Sequence, residues 1–141
     1  MDLRLRALRA LREADPADKV GAVQALWRDA ASLPTGACPE SGAIGLPGRP
    51  ERPRLVDPRQ VPQRSPHTPI GRAALLHAIC HIEFNAINLA LDAVWRFDGM
   101  PRAFHDDWLA VAHEEAHHLV LLHELLIGMG HRYGDFEAHD G

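Results

Sequence analysis

Between residues 113 and 118 the chain reads His113-Glu114-Glu115-Ala116-His117-His118, two carboxylates and three imidazoles within the apolar run VAHEEAHHLVLLHELL. Three chemistries compete for this stretch. HEEAH matches the H-E-x-x-H of zinc proteases, where two histidines one helical turn apart bind the metal and the glutamate acts as base. Glu115 and His118 match E-x-x-H, the pair that two-metal carboxylate proteins aim into a helical bundle. The third reading is an ordinary polar helix face. The direction of each side chain decides between them.

The elements that carry these residues are marked by proline and glycine. Thr68-Pro69 is a helix start, and the run from Ile70 to Asp98 has no proline and ends at Gly99. Pro101 opens a second run that continues to Met129 and stops at Gly130. Each run predicts a helix about 42 Å long. A connection as short as Gly99-Met100 makes the two antiparallel, giving a long helical hairpin.

At 100° per residue, Leu76, Ile79, Cys80, Ala86, Ile87, Ala90, Val94 and Phe97 fall within about 60° of Glu83. Trp108, Val111, Ala112, His118, Leu119, Leu122 and Leu126 fall within about 60° of Glu115. Glu83 precedes Gly99 by sixteen residues and Glu115 follows it by sixteen, so both reach one level of the hairpin. Glu83, Glu115 and His118 are therefore expected to converge inside a dry seam between the helices. Two carboxylates at one level repel unless a cation or a proton lies between them. A metal ion resolves this, and the three are the candidate ligands. The alternative is a buried polar knot in which the two glutamates share a proton or His118 carries one.

The zinc-protease reading fails on the same wheel. His113 and His117 lie about 160° from Glu115, away from the stripe. A third ligand at His123 would need the chain to bend at Val120, yet Leu121-Leu122 continue the helix. Glu114 and His117 form a second E-x-x-H about 100° off the stripe, a reserve pair should the helix be turned. His77 and His81, an i, i+4 pair expected on the outer side of the first long helix, are read as covering a strap or facing water rather than as zinc ligands.

The remainder divides into two parts. Residues 1–31 predict two short helices, the second announced by Asp15-Pro16 and by Val20, Val23, Leu26 and Trp27 at helical spacing. The first, although arginine-rich and amphipathic, reads as a short surface helix because Asp2 and Glu13 do not suit a transit peptide. Residues 32–69 hold most of the eleven prolines and form an extended strap, with Leu55, Val56 and Val61 expected to pin it; residues 70–141 are the hairpin unit. Residues 1–66 carry eleven basic and eight acidic side chains, a net +3, and residues 67–141 carry four and eleven, a net −7. The basic arm is too mixed in sign for a nucleic-acid binder and is expected to lie on the acidic part. No stretch approaches 18 uninterrupted apolar residues, so no membrane span is expected. Cys38 and Cys80, far apart in the chain, favour reduced thiols and a cytoplasmic protein.

PERPRLVDP, GRAALLHAICHIEFNAINLALDAVWRF, GMPRAFHDDWLAVAHEEAHHL and YGDFEAHDG together resemble the DUF455 family, an uncharacterised bacterial group with a ferritin-like fold. The resemblance runs over nearly the whole chain. It implies an all-α, ferritin-like architecture in which Glu83 is the lone glutamate of one helix and Glu115 with His118 the E-x-x-H pair of another. It also implies iron as the metal, with manganese or zinc as alternatives, and oxygen-dependent oxidation of an unknown small molecule as the activity. Family members continue past HDG with a second helix pair, whereas this chain stops at Gly141. The expectation is accordingly half of a metal site per chain, in a truncated product or in a homodimer that completes a four-helix bundle. A non-catalytic helical interaction module is the competing class.

Overall fold

A computed structural model describes residues 1–36 and 45–141. Cys38 lies outside the described residues. Among those residues the chain is all-α: α1 (Leu3–Arg12), α2 (Pro16–Asp29), α3 (Pro69–Arg96) and α4 (Arg102–Gly128), with 3-10 turns at Ala30–Ser32 and Pro58–Gln60 and no strand.

The helix ends follow from local chemistry. Thr68 Oγ1 accepts the Gly71 N–H at 3.0 Å, and Pro69 opens α3 where a missing N–H costs nothing. Asp15 caps α2 in the same way, accepting the Asp18 N–H at 3.0 Å. At the far end of α4, Gly130 takes φ +86°, which lets the His131 N–H reach the Leu126 carbonyl (3.2 Å) while its own N–H reaches Ile127 (2.9 Å). That pair of bonds closes the helix by satisfying carbonyls it would otherwise leave open.

The buried seam of the hairpin follows four–three spacing, with half-buried His123 at its one incompletely covered position. On α3 it runs through Ala73, His77, Cys80, Phe84, Ile87, Leu91 and Val94; on α4 it runs through His105, Leu109, Ala112, Ala116, Leu119 and Leu126. This is the register of helices packed side by side at a shallow angle. It shares Cys80, Ile87, Val94, Ala112, Leu119 and Leu126 with the stripe expected from the sequence but is centred to one side of Glu83 and Glu115. A second register lies beside it, through Leu76, Ile79, Glu83 and Ala86 on α3 and Trp108, Val111, Glu115, His118, Leu122 and Leu125 on α4, and it is only partly covered. The expectation of a dry seam around Glu83 is thus corrected. α1 packs on α3 and α2 on α4, drawing the core to one side of the hairpin and leaving the neighbouring side open.

The same packing overturns the reading of α1 as a surface helix: Leu3, Ala7, Leu8, Ala10 and Leu11 are all buried. Arg4 is buried with them, its Nε donating to the Trp95 carbonyl at 3.0 Å and its Nη1 paired with Asp98. Lys19 is also buried, donating to the carbonyls of Leu11 (3.2 Å) and Gly48 (2.8 Å) and to Asn88 Oδ1, over the face of Phe84. One ammonium thereby ties α1, α2, the strap and α3 together.

The strap is pinned at Leu55 and Val56 as expected, though through their backbone bridge to Ala138 and not through buried side chains. Leu55 is exposed and Val56 and Val61 are half-buried, whereas Pro53 and Gly48 are buried. Gly48 donates its N–H to Leu11 O at 2.8 Å, and a Cβ there would collide with the carbonyls of Arg12 and Glu13. The tail that follows α4 returns to meet the strap, with Val56 N–H bonded to Ala138 O (2.8 Å) and Ala138 N–H to Arg54 O (3.0 Å). The basic arm does lie on the acidic part, through Arg4–Asp98, Arg49–Asp140 (3.1 Å) and Arg54–Glu137 (3.9 Å). α3 is the one described helix long and apolar enough to cross a membrane, with an 18-residue window of mean hydropathy 1.3; core helices pass the same test, and 44% of that window is buried within this chain.

Candidate metal centre

Glu83, Glu115 and His118 meet. One ligand atom from each lies within 4.8 Å of the others, as the equal spacing about Gly99 requires of an antiparallel pair. His118 Nδ1 stands 3.5 Å from Glu115 Oε2 and 3.9 Å from Glu83 Oε2. These separations are too long for good hydrogen bonds. Two ligand atoms each about 2.1 Å from one ion stand at most about 4.2 Å apart, so both separations suit a shared cation. Glu83 Oε2 is shielded from solvent and has no hydrogen-bond partner. A shielded, unpartnered carboxylate oxygen is costly, and a cation on that atom would remove the cost.

The group is not sealed. The side chains of Glu83 and Glu115 are 18% and 23% exposed, and that of His118 is 50% exposed, because all three lie in the open register. Val111 and Leu125 of the same register are also exposed. The centre therefore opens onto an apolar face rather than into the interior.

The other histidines do different work. His113 stacks on Trp27 with ring centroids 4.6 Å apart and planes 10° apart, while Glu114 and His117 are exposed. Among the described residues His113, His117 and His123 do not form a group of metal-ligand atoms. His77 and His81, expected on the outer side, are buried instead. His77 Nε2 accepts the Gly134 N–H at 2.9 Å; burial, reinforced by neighbouring His81, lowers its pKa to about 4. His81 bridges Tyr133 Oη (2.7 Å at Nδ1) and Asp140 Oδ1 (2.6 Å at Nε2), and Asn85 and Arg49 hold Asp140 as well. The pair fastens the tail that follows α4, where it was expected to cover the strap or face water.

Sequence reasoning missed Arg4 and Lys19. Each heads an i, i+4, i+7 series, Arg4-Leu8-Leu11 and Lys19-Val23-Leu26, and that spacing was the available signal. Desolvation lowers the Lys19 pKa from 10.5 to about 7, assisted by nearby Arg49 and opposed by Glu13.

The chain belongs to the DUF455 family, described as a protein of unknown function, whose model matches residues 12–141. It is 57% identical over 99 residues to an uncharacterised protein of Haemophilus influenzae, an alignment covering 65% of this chain and 34% of that protein. The chain thus spans about a third of the length of the curated relative it matches. No solved structure matches it.

Proposed function

We propose that Glu83, Glu115 and His118 bind a transition-metal ion, iron in preference to manganese or zinc, as half of a ferritin-like two-metal carboxylate centre. The observation that carries this reading is the shielded, unpartnered Glu83 Oε2 facing a second carboxylate and an imidazole across the hairpin. Two carboxylates and one imidazole are a donor set suited to iron or manganese. Bound iron would supply one-electron chemistry with dioxygen, and the activity proposed is oxidation of a small molecule. This chain's residues hold the charge: Glu83 and Glu115 neutralise the cation from opposite helices, and His118 supplies nitrogen from the exposed side. The open register supports a second hairpin seated over the centre. The proposed occupant is a second copy of this chain, bringing its own Glu83, Glu115 and His118.

Metal analysis of untagged protein grown with supplemented iron tests the proposal. About one equivalent per chain is expected, falling sharply in Glu83→Ala and His118→Ala. Less than about 0.2 equivalents of iron, manganese or zinc in the wild-type chain would sink it.

A second reading, a helical interaction module whose polar group serves packing alone, is favoured by the exposed Val111 and Leu125 of the open register. It predicts that the same substitutions leave metal content unchanged and alter only stability or partner binding.

A further inference from the structure

A concavity lies away from the metal centre, between the first turns of α2 and the last third of α4. It holds about 470 Å³, within the range of small-molecule sites. Its apolar lining comes from Pro16, Val20, Leu119 and Val120, with the ring of Tyr133 at one side. Such a surface takes a hydrocarbon body.

The polar groups set the rest of the ligand. His123 lines the cleft, and its Nε2 is shielded from solvent with no hydrogen-bond partner. Burial and the neighbouring Arg132 hold its pKa below the usual histidine value, so the imidazole is neutral near pH 7 and able to donate one N–H. The Arg132 guanidinium also lines the cleft and forms no hydrogen bond or ion pair among the described residues. Two carboxylates share the lining. Asp15 is already engaged as the cap of α2, accepting the Asp18 N–H, and Glu124, like Arg132, is exposed at the rim. What remains without a partner is the Glu124 carboxylate, a guanidinium fork and an imidazole N–H, and the last two are donors that recognise a carboxylate.

We infer that this cleft binds a small monocarboxylate with an unbranched hydrocarbon body, its carboxylate held by Arg132 and His123 and its chain lying on Val20, Leu119 and Val120. The site is separate from the metal centre, since Glu115 and His118 face the open register on another side of α4. Its occupancy does not depend on metal.

The test uses the full chain after chelation, so that it is independent of the metal proposal. Sodium octanoate is titrated into isotopically labelled protein, with octanol and octylammonium as matched probes lacking the negative charge. Octanoate is expected to bind at sub-millimolar concentration and shift the amides of Val20, His123 and Arg132. Arg132→Gln should weaken it at least tenfold. Ala17→Trp, placed at an exposed position of the cleft, should abolish it without unfolding the protein. Absence of binding, equal binding of octanol or octylammonium, shifts confined to the open α3–α4 face, or indifference to Arg132→Gln or to a folded Ala17→Trp would each overturn the inference.

Discussion

Oε2 of Glu83 and Nδ1 of His118 face each other at 3.9 Å across two helices, with Glu115 at the same level, and the glutamate oxygen has no hydrogen bond. The first prediction follows from this pair. In metal-free protein, Glu83→Gln should raise stability by about 1 kcal/mol, because it removes a shielded charge beside a second carboxylate. Added ferrous or zinc ion should stabilise the wild-type chain in proportion to ln(1 + [metal]/Kd) and leave the variant unmoved. Denaturant titrations with and without metal read both effects. A variant that is less stable in both conditions would mark the group as a packing knot.

The open register predicts association. Val111 and Leu125 of that register are 37% and 61% exposed in the single chain. Replacing both by arginine should cost less than about 0.5 kcal/mol of chain stability, as surface changes do. It should also convert a dimer of 15.6 kDa chains into monomer, measured by size exclusion with light scattering. If the wild-type chain runs as a monomer at all concentrations, the proposed occupant is wrong.

Lys19 predicts a pH dependence with a definite sign. Its ammonium loses its proton at about pH 7 in the folded chain and at 10.5 when unfolded. Between these values the unfolded state binds more protons, so stability should rise with pH, at up to about 1.4 kcal/mol per unit. Lys19→Met should flatten that rise between pH 7 and 9.5. Stability that is level or falling across this window in the wild type would contradict the assignment.

His77 governs the acid side. Its folded pKa of about 4 lies below the ordinary 6.5, and its Nε2 must stay unprotonated to accept the Gly134 N–H. The unfolded state binds the extra proton between these values, so stability present above pH 6.5 is lost as pH falls towards 4. Limited proteolysis after α4 should therefore accelerate near pH 4.5. His77→Gln should lessen that acceleration, though it weakens the tail's attachment at neutral pH by about 1–3 kcal/mol if its amide cannot reach Gly134.

Much of this molecule was legible in order. Thr68-Pro69, Asp15-Pro16 and Gly130 act within a few residues of themselves, so the starts and stops of the helices could be read from local chemistry. The meeting of Glu83, Glu115 and His118 was legible for a similar reason: a tight connection and a constant rise per residue place two positions equally far from Gly99 at one level. What the sequence could not rank was two adjacent four–three registers of comparable apolarity. Phe84 and Glu83 are neighbours, and each sits in a series that a helix wheel accepts as a core.

The choice was made by α1 and α2, whose Leu8, Leu11, Val23 and Leu26 are distant in the chain and pack on one side of the hairpin only. That one-sided burial leaves the metal group half-exposed at an open face, turns Arg4 and Lys19 inward, and folds the tail back on His77 and His81. By itself the sequence determined which helices form and which residues share a height; the tertiary structure decided which face is inside, because burial depends on what packs there and not on the helix alone.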